Sequence, residues 1–103
     1  MAIYELRTYT LYVGKMAEAV KVYQESDWYK KVGDKLVGYF QSDIGTLNQL
    51  IHLWKFDDDA DRRRHWQAVY ADPGFQQFAG RIRPLIMTQE NKILMAAPWG
   101  PQP

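Results

Sequence analysis

The sequence predicts an α+β domain: an antiparallel four-stranded sheet with helices packed on one of its faces. Three observations predict it. Four stretches carry strand patterning, two others carry helical periodicity, and they follow one another as strand, helix, strand, strand, helix, strand. The chain has 103 residues, enough for a single domain with one core, and residues 97–103 read as an extended tail on it.

Residues 3–12 alternate, with Tyr4, Leu6, Thr8 and Thr10 on one side and Ile3, Glu5, Arg7, Tyr9 and Leu11 on the other. Both sides carry large side chains, so neither reads as a plain solvent face. Gly14 ends this strand. Met16, Ala19, Val20 and Tyr23 then recur at helical spacing, and the helix is expected to run to about Lys31 with Gly33 as its C′ residue. Ser26 and Asp27 favour caps over helix interiors and mark a point of interruption. Residues 36–40 and 50–56 are two apolar runs joined by Ser42, Asp43 and Gly45, which are turn formers, so they read as a hairpin.

The run DDDADRRRHW then places acids before bases, which suits a helix start because the macrodipole favours negative charge there. Asp58 with Arg62 and Asp59 with Arg63 stand at i, i+4, where such pairs contribute ~0.2–0.5 kcal/mol each. Residues 62–64 read either as a solvated helix face or as a basic ligand site. Asp72 and Pro73 break that helix and open another, in which Phe75, Phe78 and Ile82 form a core stripe. Pro84 stops it near Arg83, and residues 85–96 read as the last strand. This order is the split βαβ, ferredoxin-like βαββαβ sandwich.

Composition narrows the function. The formal net charge is +1, which gives no pull toward nucleic acid. There is no cysteine, so disulfides, thiolate catalysis and iron–sulfur clusters are excluded, and a reducing cytoplasm fits. No apolar run approaches the ~20 residues of a membrane span, and the N-terminus, with Glu5 and Arg7, is not a secretory signal. The aromatic load, 15% with four Trp and seven Tyr, points to an interface or a lined cavity. No phosphate loop, Ser-His-Asp set or H-E-x-x-H motif occurs.

In the third strand, Ile51 and Leu53 are assigned to the helix-covered core. Leu50, His52, Trp54 and Phe56 are assigned to the open face, together with Glu5, Arg7 and Tyr9. An apolar face of that size calls for a second copy packed against it. The space between the two sheets would then hold a ligand ringed by Glu5, Arg7, Tyr9, His52 and Trp54. A carboxylate or enolate would bridge Arg7 and His52.

His52 is the candidate catalytic residue, since an imidazole titrating near ~6.5 can act as acid or base. It reads in the first place as a histidine hydrogen-bonded inside a subunit interface. Glu5 and Arg7 read either as a structural ion pair or as the polar end of the ligand site, with Glu90 and Lys92 as candidate partners. The second histidine, His65, lacks ligand-like spacing, so neither metal nor cofactor is expected. Trp99, between Pro98 and Gly100, is expected to pack onto the domain or onto a partner subunit.

The strings YELRTYTL (residues 4–11), LVGYF (36–40), IGTLNQLIHLW (44–54), IRPL (82–85) and QENKIL (89–94) resemble the NIPSNAP family in order and spacing. The resemblance implies a dimeric α/β barrel, two ferredoxin-like subunits joined sheet to sheet. It also implies kinship with a superfamily that contains cofactor-independent monooxygenases, small isomerases and haem-binding proteins. It names no reaction and no catalytic residue, so the site residues rest on the reading above. The leading expectation is a homodimer binding a small, partly apolar molecule in the barrel cavity. The alternatives are a cofactor-independent monooxygenase- or isomerase-like enzyme, and an interaction module without a ligand. Eukaryotic members are linked to mitochondria and vesicles, a feature not carried over to this chain, which is expected to be cytoplasmic, without nucleic-acid partners.

Overall fold

The computed structural model describes residues 1–26, 28–31 and 33–103, with Tyr29 described in its backbone alone. Strand β1 (Ile3–Leu11) leads to helix α1 (Met16–Ser26), and β2 (Leu36–Gln41) and β3 (Gln49–Phe56) form the hairpin. Helices α2 (Asp59–Ala71) and α3 (Pro73–Ile82) follow, and β4 (Ile86–Leu94) completes the sheet. The strands lie in the order β2-β3-β1-β4, with every neighbour antiparallel. The predicted architecture is therefore the observed one.

Local chemistry sets the boundaries. Gly45 turns the hairpin at φ +98°, a region closed to most side chains. Asp58 caps α2 by accepting from the Asp61 N–H at 2.8 Å, and Asp72 caps α3 through the Gly74 N–H at 2.7 Å, with Pro73 in the first turn. Asp59 pairs with Arg63 at 2.6 Å as the spacing predicts. Asp58 is occupied as the cap, so Arg62 turns to Asp59 and Glu5 instead. Helix α1 stops at Ser26, earlier than expected. The Ser26 hydroxyl donates to the Tyr23 carbonyl and accepts from the Trp28 N–H, which diverts the chain into a 3₁₀ turn at Trp28–Lys30. Gly33 has the expected positive φ but is not the C′ residue of α1. The predicted interruption at Asp27 lies outside the described residues.

The alternation in β1 and β3 holds, but the helices cover the opposite face from the one expected. Leu11, Leu50, Trp54 and Phe56 pack with Val22 of α1, Trp66 and Val69 of α2, and Phe78 and Ile82 of α3. Glu5, Arg7 and His52 lie on this same covered face and are buried. Ile51 and Leu53, assigned to the core, are only half-buried on the open side. The period of two states which residues share a face, and it is silent on which face the helices take when both are apolar. The ring-rich face goes under the helices because α2 and α3 carry the rings that match it.

The open face holds Leu6, Ile51 and Leu53, with Phe40 58% exposed at its β2 side. The Phe40 ring lies over Gly38, where an added Cβ would come within 3.0 Å of it. The tail returns to this face, and the Tyr4 hydroxyl donates to the Pro103 carbonyl at 2.9 Å. Trp99 does not follow: it is 87% exposed, so its expected packing onto its own domain is not found. Both edge strands are irregular. The register with β3 shifts between Leu36 and Gly38, and that with β1 shifts at Leu11, which leaves Val37 and Met87 as extra residues. Among the described residues, no helix is long and apolar enough to cross a membrane.

The choice of face is testable with neighbouring residues. Trp54→Asp places a carboxylate in the packed core and should cost about 5 kcal/mol or more, enough to unfold the domain. Leu53→Asp, on the other face, should cost roughly 1 kcal/mol. Urea denaturation followed by circular dichroism ranks the two, and the reverse ranking would put the helices on the Leu53 side.

Candidate functional site

The candidate residues form adjacent rows across the covered face. Arg7 stands opposite His52 in the β1–β3 register, and His52 stands opposite Tyr39 of β2. The next rows pair Glu5 with Trp54 and Tyr9 with Leu50. The sequence thus brings Glu5, Arg7, Tyr9, His52 and Trp54 together as expected. They meet between the sheet and the chain's own helices, not between two sheets.

Glu5 is 0% exposed and is held from two elements. Its Oε2 accepts from Arg7 Nε at 2.8 Å. Its Oε1 accepts from Trp66 Nε1 at 2.8 Å and from Arg62 Nη1 at 3.4 Å. A buried carboxylate needs this degree of pairing to offset the loss of water. The Arg7 guanidinium carbon lies over the Trp66 ring, 3.6 Å from its centroid, and its Nη1 donates to the hydroxyls of Tyr9 and Tyr70 at 3.4 and 3.3 Å. The partners expected from β4 do not take part, because Glu90 and Lys92 are exposed and pair with each other.

Arg7, Tyr9, His52 and Trp54 line a cavity of about 80 Å³, closed by Tyr23 and Tyr39 on one side and by Trp66 and Tyr70 on another. Glu5 stands behind Arg7 and does not line it. His52 is 4% exposed, and its ring is 4.3 Å from that of Tyr39, 5.0 Å from Tyr9 and 5.6 Å from Tyr23. Neither of its nitrogens has a hydrogen-bond partner among the described residues, nor have the hydroxyls of Tyr23 and Tyr39. These polar atoms in the cavity wall are free to pair with a bound molecule, and Trp54 Nε1 in the same wall is buried without a hydrogen-bond partner among the described residues.

The electrostatics fit an anion. Arg7, Arg62 and Arg63 share two carboxylates, Glu5 and Asp59, which leaves one positive charge in excess. Burial alone would weaken the Arg7 cation, but Tyr9, Tyr70 and Glu5 outweigh it and hold its pKa above the ordinary value. Burial, and then the charge of Arg7, push His52 down to about 3, so its ring is neutral near pH 7. Tyr9, Tyr23 and Tyr39 are all raised by burial and remain phenols. Near pH 7 the cavity wall therefore offers the guanidinium groups of Arg7 and Arg83, one neutral imidazole and phenol hydroxyls.

Sequence reasoning missed Trp66 and Tyr70 on α2 and Tyr23 on α1, and it reached Arg62 only as part of the basic run 62–64. The i, i+4 spacing of Arg62, Trp66 and Tyr70 is the signal that marks one helix face, but nothing local ties that face to Glu5.

A four-stranded antiparallel sheet in this order, roofed on one face by helices over a small polar cavity, defines a ferredoxin-like α+β domain. The NIPSNAP family model matches residues 4–101, and the chain belongs to that family. A NIPSNAP family protein of unknown function from Agrobacterium tumefaciens superposes with a TM-score of 0.89 at 37% identity, over 97% of this chain and 92% of that one. Human NipSnap homolog 3A is 33% identical over 98 residues, 93% of this chain and 40% of that protein. The chain thus spans less than half of the length of that relative. SnoaB, a cofactor-independent oxygenase from Streptomyces nogalater, shares the fold with a TM-score of 0.65 at 20% identity, over 98% of each chain.

The depressed His52 has a consequence for stability. The unfolded chain takes up a proton near pH 6.5 that the folded chain refuses until about 3, so stability is complete above 6.5 and falls as pH drops through this window. One extra proton corresponds to ~1.4 kcal/mol per pH unit. Arg7 and Tyr9 of β1, Tyr23 of α1 and Tyr39 of β2 face the ring, and of these only Arg7 is charged there. His65 is depressed in the same direction, so the comparison must be made between variants. Below pH 6.5, His52→Asn should lose stability with falling pH less steeply than the parent by about that amount. Urea denaturation at several pH values measures it, and parallel curves would mean that His52 titrates normally.

Proposed function

We propose that this NIPSNAP-family chain binds a small anionic molecule in the cavity between its sheet and its helices. Arg7 and His52 contact the anion, while Tyr9 and Trp54 lie against its apolar part. The observation that carries this reading is His52, buried beside a guanidinium in the cavity wall, with neither ring nitrogen hydrogen-bonded among the described residues. Binding is favoured over general base catalysis by His52. A general base works best with a pKa near the working pH, and His52 at about 3 is far below it. Isothermal titration with propionate tests the reading. The parent should bind saturably, and His52→Leu, which keeps the volume but removes the donor, should bind about tenfold more weakly or worse. Equal affinities, or no binding to the parent, would reject the site.

A second copy on the open face completes the proposal. Leu6, Ile51 and Leu53 make an apolar strip on the two central strands, flanked by exposed Phe40, and Trp99 projects from the tail with 87% of its surface exposed. Two such faces packed together would cover the strip and give Trp99 a partner subunit to rest on. An interface of obligate type buries ~2,000 Å² or more. Sedimentation of dilute parent protein should give twice 12.1 kDa, and Leu53→Asp should give a folded monomer. A monomeric parent at micromolar concentration ends this part of the reading.

A further inference from the structure

The cavity is too small for most ligands. At about 80 Å³ it holds an anionic head group and one or two carbons, well below the ~300 Å³ at which ordinary ligand pockets begin. A larger ligand must leave it through its mouth beside the exposed Arg83 and Gln89, or through one of its walls, and two walls border open grooves. On the α2 side, Arg7, Trp66 and Tyr70 separate the cavity from a groove of about 400 Å³ lined also by Arg62 and Arg63. On the α1 side, Tyr23 and Tyr39 separate it from a groove of about 370 Å³ lined also by Val20, Gln24, Gln41 and Leu50.

The walls differ in how they are held. The α2 wall is locked: Arg7 is bonded to Glu5, Tyr9 and Tyr70 and stacked on Trp66, which is itself bonded to Glu5. The Tyr23 and Tyr39 rings touch at a centroid distance of 5.8 Å and 60°, and neither hydroxyl is bonded to the rest of the chain among the described residues. Their rotation breaks no hydrogen bond. The groove beyond them has an apolar floor, in Val20 and Leu50, and carboxamides from Gln24 and Gln41.

We propose that the ligand is an amphiphile, a medium-chain monocarboxylate whose head pairs with Arg7 and His52 and whose alkyl chain passes between Tyr23 and Tyr39 into the α1 groove. This rests on the cavity binding an anion, as proposed above, and adds the class of ligand and its path. A single carboxylate meets Arg7, the buried guanidinium of the cavity wall. The unpaired phenol hydroxyls of Tyr23 and Tyr39 stand where the head group joins the chain. The α2 groove, lined by arginines, suits no alkyl chain.

Titration of the parent with propionate, hexanoate and decanoate, below their micellar concentrations, tests the proposal. Affinity should rise with length by roughly fourfold for each methylene that enters the groove. Decanol, without the anion, should bind at least about tenfold more weakly than decanoate. Gln24→Trp, at an exposed position of α1, fills the groove. It should abolish the gain with length and leave propionate binding unchanged. Val20→Trp, on the same wall, gives the same readout if the first variant misfolds. Propionate binding without a gain in length would overturn the amphiphile and leave the anion site standing. A gain that survives both groove variants would overturn the path, and equal binding of decanol would overturn the head-group assignment. Failure of every carboxylate to bind would remove the anion site and this proposal with it.

Discussion

The structure depends on one buried carboxylate. Glu5 sits on a central strand with no exposed surface, and three donors reach it, from Arg7 on the same strand and from Arg62 and Trp66 on α2. A lone carboxylate at that depth would be strongly destabilising, and the pairing offsets that cost. The same bonds fix where α2 lies on the sheet, because Arg62 and Trp66 belong to adjacent turns of one helix face. They also fix the Arg7 guanidinium, which is clamped at its edge by Glu5 and along its plane by the Trp66 ring. The ion pair is structural, and what it structures is the cation in the cavity wall.

That arrangement gives the cavity two unlike halves. Arg7 is held by bonds to four residues counted across its carboxylate, phenol and ring contacts, so it presents charge in one orientation. Among the described residues, the His52, Tyr23 and Tyr39 side chains are held by ring packing, without hydrogen bonds. Fixed dipoles and charges interact with an incoming anion without reorganising, whereas packed rings rotate without breaking a bond. The neutrality of His52 follows from the same geometry: a buried ring directly across the strand pair from a guanidinium favours its uncharged form. A bound anion reverses that influence, because negative charge beside the ring favours its protonated form.

Much of this was legible in the chain. Turn and cap residues located the elements, as with Gly45, Asp58, Asp72 and Pro73, because their effects act within a few residues. The strand period grouped Glu5, Arg7 and Tyr9 with His52 and Trp54, and the order of strands brought β1 beside β3. The covered face was misassigned for a physical reason. Leu50, Trp54 and Phe56 are apolar on one side, Leu6, Ile51 and Leu53 are apolar on the other, and hydropathy alone does not rank them. The tie is broken by Trp66, Val69, Phe78 and Ile82, far along the chain, whose rings and branches fit one face. The partners of Glu5 were illegible for the same reason. Arg62 and Trp66 lie 57 and 61 residues away, and a run of three arginines after three aspartates is explained locally by helix pairing.

The extra residues in β2 and β4 bear on how copies of this chain can meet. A regular outer strand offers a row of unpaired amides and carbonyls that any other strand can join. Here each outer strand is broken by an inserted residue, Val37 in one and Met87 in the other, and β4 adds the polar run Gln89, Glu90, Asn91 and Lys92. Bulges bend and twist the strand away from the straight geometry that a continuous ladder requires. Growth of the sheet sideways, strand by strand, is thereby blocked at both borders. The association proposed above would then use the flat of the sheet, where a two-fold contact between copies closes on itself.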